Sequence, residues 1–116
     1  MIGFRTDEGD RRYRAALAAG ILDRGCPLCI LPSIKEFTHW RIIKNEYPYD
    51  AVAAVHDMIV LKRHIAEGEF IEAEKQELLE IKNSHLNQEY EYIIEAIGKY
   101  KSIPAHFHLH LIVPKK

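Results

Sequence analysis

Apolar positions recur along this chain with two different spacings, and the spacing changes mark its elements. From about Asp10 to Leu22, Tyr13 and Leu17, with Ala16, Ala19 and Ile21 nearby, follow a helical period. They predict a short helix that Gly20 weakens at its end. Residues 1–9 read as a polar, loosely held start. Gly25 and Pro27 then interrupt regular structure. Phe37 to Lys44, rich in aromatic and β-branched residues, predicts a strand, and Asn45 to Asp50 a turn. Ala51 to Leu61 predicts a second strand, with Ala54, His56, Met58 and Val60 on one face. Ile71 to about Leu86 is built of strong helix formers, with Leu78, Ile81 and Leu86 near one stripe and the glutamates of 67–80 as its solvated face. Tyr90 to Ile97 divides between an extension of that helix and a third strand, and its run of Tyr and Ile favours the strand. After a loop from Gly98 to Pro104, Ala105 to Val113 is a final strand. Roughly four strands and two helices make an α+β domain.

Composition narrows this picture. Hydrophobic residues at 47% and charged residues at 28% suit one globular domain over residues 1–116 rather than a disordered chain. A net charge of −1 argues against a broad surface for nucleic acid or an anionic membrane. The longest apolar runs, such as Met58 to Leu61, are far too short for a bilayer. The N-terminal residues lack an apolar signal segment, which predicts a cytoplasmic protein. The two cysteines, Cys26 and Cys29, stand as Cys-Pro-Leu-Cys, a spacing open to metal binding, to redox chemistry, or to two buried inert thiols.

Seven histidines occur in the chain, and the placement of three carries the most information. In Ala105-His106-Phe107-His108-Leu109-His110-Leu111, a side-chain period of two sends the imidazoles to one face and the apolar residues to the other. Three imidazoles on one face are costly to bury without partners, so they suit an anionic phosphate, a metal, or both. A solvated surface strand is the plain alternative. One ion held by all three is disfavoured, because alternate residues on a strand stand roughly 6–7 Å apart. A central imidazole flanked by two others suits nucleophilic attack on phosphorus, with His110 stabilising the developing charge.

The segment His106-Phe107-His108-Leu109-His110-Leu111-Ile112 resembles the His-x-His-x-His-x-x signature of the histidine triad superfamily. Asn45 to Tyr49, followed by His56 and the strand end at His64, resembles that family's substrate-side hairpin. Cys26 to Cys29 resembles the cysteine pair of its zinc-containing branch. The resemblance implies an antiparallel sheet of about four to five strands with two main helices. It implies hydrolysis or transfer of nucleoside monophosphates through a nucleotidyl-histidine intermediate on His108. His110 would bind phosphate and support the leaving group, Asn45 would face the ribose, and His56 would orient the triad. Cys26, Cys29, His64 and His106 would hold a structural zinc, and many members are homodimers.

The chain departs from the family just ahead of the triad. Members often carry Asn-x-Gly and a Gln there. This chain has Glu95-Ala96-Ile97-Gly98 and, four residues before His106, Ser102, which could donate one hydrogen bond to phosphate, with Lys99 or Lys101 adding charge. The thinned phosphate contacts leave a second reading, a catalytically weak, zinc-stabilised nucleotide-binding or regulatory protein. Trp40 reads as core, Tyr47 and Tyr49 as turn residues or the border of a base site, and His39 and His85 as ordinary residues.

Overall fold

The computed structural model describes residues 3–23, 25–66 and 68–116. Five strands form one antiparallel sheet: β1 (Ser33–Glu36), β2 (Trp40–Lys44), β3 (Ala53–Leu61), β4 (Tyr92–Ile94) and β5 (His108–Pro114), in the order β1-β2-β3-β5-β4. Helix α1 (Asp7–Ala18) precedes the one-turn helix α2 (Pro27–Ile30), and α3 (Glu72–Ile81) lies between β3 and β4. The predicted α+β class with two main helices is the observed one. Among the described residues, no helix is long and apolar enough to cross a membrane.

Alternation along β2, β3 and β5 separates two clusters. Trp40, Ile42, Ile59, Leu61, Leu109 and Leu111 pack with Ile81, Leu86 and Phe107 on the face that α3 covers. Trp40 is fully buried among them, as core rather than stacking platform. Ile43, Met58 and Val60 pack with Leu28 on the other face. Val60 pairs with His108 and Met58 with His110, so both histidines share this second face. A register shift between Ala53 and Val55 takes Ala54 out of the predicted face and leaves it exposed.

Several boundaries move, each for a local reason. Helix α1 starts at Asp7 rather than Asp10, because Thr6 caps it: its Oγ1 accepts the Gly9 N–H at 3.1 Å, with Asp7, Glu8 and Asp10 in the first turn. The expected loose start is therefore ordered from Gly3 onward, Met1 and Ile2 lying outside the described residues. The helix ends at Ala18, where Gly20 turns back at φ +83° and the Ile21 N–H reaches the Ala16 carbonyl at 3.2 Å. The expected strand from Phe37 is a hairpin, β1 turning through residues 37–39 into β2. Helix α3 runs into a π turn (Lys82–Leu86) and Asn87–Glu89, which leaves only Tyr92–Ile94 of the expected 90–97 strand. The last strand begins at His108, so the period-two reading holds for His108 and His110, and His106 stands ahead of it.

The glutamates of α3 are not all solvated, contrary to the sequence reading. Glu74 is 1% exposed, and its carboxylate accepts two bonds from Arg63, at 2.7 and 2.8 Å, and one from the Ile71 N–H at 3.0 Å. Bonding to Arg63 first of all holds this carboxyl below its ordinary value. The same residue's carbonyl accepts the Trp40 indole N–H at 2.9 Å. The start of α3 is thereby fixed to Arg63, which follows the end of β3 and stands one residue before His64.

The first turn of α1 is clasped to the 45–50 turn. Asp50 accepts the Thr6 N–H and the Thr6 hydroxyl, both at 2.8 Å, and a Cβ on Gly9 would stand 2.5 Å from Asp50 Oδ1. Alanine at an ordinary helix position is worth about 1 kcal/mol over glycine. Here the clash outweighs that gain, and Gly9→Ala is expected to lose about 1–3 kcal/mol. Chemical denaturation of the two proteins checks this, and a stabilised Gly9→Ala would contradict it.

Candidate active site and metal cluster

Two sites meet at His106. At the first, Cys26 Sγ and Cys29 Sγ each lie 3.4 Å from His106 Nδ1, and His64 Nδ1 lies 3.2 Å from both Cys29 Sγ and His106 Nδ1. The four donor atoms fall within 4.8 Å of one another. Tetrahedral zinc with ordinary Zn–S and Zn–N lengths would set such edges at about 3.3–3.8 Å. The four residues lie close enough to hold a metal ion.

The donors are prepared for that role by their partners. His106 Nε2–H donates to the Leu61 carbonyl at 2.6 Å, which puts the lone pair on Nδ1, toward the cluster. Burial and then the neighbouring Cys26 push the Cys29 thiol up, so without a cation this sulfur resists ionisation. The loop carrying them is held by Arg41, whose guanidinium donates to the carbonyls of Leu28 and Leu31 and, at 3.0 Å, to Ser33 Oγ. These bonds satisfy carbonyls that the one-turn helix α2 leaves open.

The second site is a cavity of about 310 Å³ beside the start of β5, within the range of small-ligand pockets. His108, His110, Asn45 and Ser102 line it together with Tyr47 and Tyr49. His56 stands behind them, bonded to His110 rather than lining the cavity. Both tyrosines thus border the pocket, where the sequence left them between turn and base site. Lys101 is paired with Glu95 at 3.3 Å, which ties down a charge that the sequence offered to a phosphate.

The hydrogen-bond partners dictate the tautomers. His108 Nδ1–H donates to the His106 carbonyl at 2.9 Å, so Nε2 carries the lone pair. No buried side-chain nitrogen or oxygen among the described residues lacks a partner. His108 Nε2, which has none, is therefore accessible from the cavity. His56 Nδ1 accepts the Tyr49 N–H at 2.9 Å, which places its proton on Nε2, 2.8 Å from His110 Nδ1. Accepting there, His110 must carry its own proton on Nε2, 3.5 Å from the Tyr49 hydroxyl. Asn45 Oδ1 accepts the Tyr47 N–H at 2.8 Å, which sets the amide group beside His56. The site thus offers a lone pair on His108 and an N–H on His110.

Burial keeps these rings neutral. It is the largest cause that lowers His108 below its ordinary value, with the Lys101 charge assisting. His56 is pushed down to about 4 and His110 to about 3, again by burial first. A neutral His108 keeps its lone pair across the physiological range.

No family model and no curated protein matches this chain. The sequence reading missed the contribution of the N-terminal segment, since Arg5, Tyr13, Ile21 and Leu22 also line the cavity. The Thr6 cap with acidic residues behind it was the signal that this segment is ordered.

The depressed histidines couple stability to pH. As pH falls below 6.5 the unfolded chain takes up protons that folded His56 and His110 refuse until about 4 and about 3. Their contribution is complete above pH 6.5 and is lost on descent through that window. Tm should fall between about pH 7 and about pH 4.5, less steeply in His110→Gln than in the parent. Equal slopes in thermal melts of the two proteins would refute the assignment.

Proposed function

We propose that this protein is a nucleotide phosphoryl hydrolase or nucleotidyl transferase, working through a covalent nucleotidyl-histidine on His108 in the manner of the histidine triad superfamily. The observation that carries this reading is the bond from His108 Nδ1–H to the His106 carbonyl, which leaves an accessible, neutral Nε2 at the cavity. In the first step Nε2 attacks the α-phosphorus, an Nε2–P bond forms, and the bond from phosphorus to the leaving group breaks. The leaving group keeps the electron pair and takes a proton from water. Positive charge on the modified ring is relieved through Nδ1–H and the His106 carbonyl. His110 Nε2–H donates to a phosphoryl oxygen, where negative charge grows. Water or an acceptor alcohol then attacks phosphorus, the N–P bond breaks, and the incoming proton is released to solvent. Asn45 would meet the ribose and Ser102 a phosphate oxygen at the rim.

In this reading the four-residue cluster holds zinc in a structural role, since two thiolates and two imidazoles complete a tetrahedral shell and leave no position for water. The chain works as a cytoplasmic homodimer, with Tyr92 and Ile93, exposed on the edge strand β4, available to a second copy.

Turnover of an adenosine phosphoramidate and of a dinucleoside polyphosphate should fall at least about 10³-fold in His108→Ala. Label carried on the α-phosphate should remain on denatured parent protein and not on His108→Ala. If the parent binds nucleotide but neither turns over nor retains label, the protein is the nucleotide-binding module instead.

Purified protein is expected to contain one equivalent of zinc, lost together with thermal stability in Cys29→Ser. A fully folded, metal-free parent in elemental analysis and calorimetry would remove zinc from the account.

A further inference from the structure

Arg5 belongs to the wall of the cavity that His108 and His110 line. Its backbone is clamped on both sides. The Phe4 carbonyl accepts the Ala51 N–H at 2.9 Å, and the Thr6 N–H donates to Asp50 at 2.8 Å. Its side chain is held as well. Nε donates to the Tyr47 carbonyl at 3.0 Å, while Cζ sits 4.1 Å from the Tyr13 ring centroid and 5.1 Å from that of Tyr49. These contacts use the aromatic-facing surface and one N–H of the guanidinium. The terminal nitrogens, with four N–H groups, meet no acceptor, and Arg5 forms no ion pair among the described residues. A half-buried cation held this firmly, with its fork unspent, is prepared for an anion from outside the chain.

Its position relative to the histidines says which anion. Tyr49 touches both groups: its ring lies near Arg5, and its hydroxyl stands 3.5 Å from His110 Nε2. The charge of Arg5 is felt at His56 and His110, both of which it helps to lower. Leu31, Asn45, Glu46 and Tyr47 line both this cavity and a second cleft of about 600 Å³ that carries Arg12 and Lys44. Cationic groups therefore continue beyond the histidines.

We propose that Arg5 is the binding site for a second phosphate, selecting nucleotides whose α-phosphate bears a further phosphoryl group over those with an uncharged leaving group. The proposal rests on the nucleotide reading for its ligand class and is independent of covalent chemistry at His108. Through its clamped backbone Arg5 is presented in one orientation, and Arg12 and Lys44 receive whatever extends beyond the second phosphate.

Titration calorimetry on the intact protein tests this, comparing a nucleoside monophosphate with the non-hydrolysable α,β-methylene diphosphate of the same nucleoside, with adenine and with uracil as base. The diphosphate analogue should bind about 10-fold or more tightly than the monophosphate. That ratio should fall close to one in Arg5→Gln and keep an intermediate value in Arg5→Lys, which retains charge without the fork. Melting curves of both variants confirm that they are folded. Equal affinities in the parent, or a preference that persists in Arg5→Gln, overturn the role of Arg5 alone. No binding of any of these nucleotides overturns the nucleotide reading with it.

Discussion

The hydrogen bond from His108 Nδ1–H to the backbone carbonyl of His106 is the contact on which the proposed chemistry depends. A neutral imidazole has one proton and two nitrogens, so whichever nitrogen donates decides which one can attack. A carbonyl can only accept, and it therefore holds the lone pair on Nε2. His106 fixes this carbonyl in space by what its own ring does. One nitrogen is bonded to the Leu61 carbonyl on β3, and the other faces Cys26, Cys29 and His64. Four residues close enough to hold a metal ion are thereby linked to the orientation of the His108 ring through the His106 backbone.

His110 is set by a parallel device that runs from the opposite direction. The Tyr49 N–H reaches His56, and His56 reaches His110. The chain of donors starts from a backbone amide, which can only donate, so the proton order along it is forced. One relay ends in an acceptor at the cavity and the other in a donor. Burial lowers the proton affinity of both rings and prevents either polarity from being inverted by a stray proton. The two rings thus present opposite polarity to the cavity although both are histidines two residues apart on one strand.

The cavity wall that completes the site comes from the N-terminal segment. Thr6, Gly9 and Asp50 interlock where the first turn of α1 meets the 45–50 turn, and that lock carries Arg5 and Tyr13 to the cavity. The small size of Gly9 serves close approach rather than an unusual backbone angle. At Gly20 the reason is different, because a positive φ ends α1 and turns Ile21 and Leu22 into the pocket.

Much of this was legible in the sequence, and the boundary of legibility is physical. Alternation with period two put His108 and His110 on one face, and the resemblance to the histidine triad superfamily implied the set Cys26, Cys29, His64 and His106, four residues that the fold brings within 4.8 Å. The shared face is a property of residue type and local spacing. The sequence could not say that β5 starts at His108, because the ladder with β3 determines where pairing begins. Nor could it place Glu74 inside, since that burial depends on Arg63, eleven residues away along the chain. Arg5 looked like part of a polar tail until Asp50 and Tyr47, more than forty residues distant, held it in place. The sequence determined the chemical inventory and the face on which much of it lies. Only the tertiary structure decided which nitrogen of each histidine is free, because a proton goes where its partners, drawn from distant segments, allow.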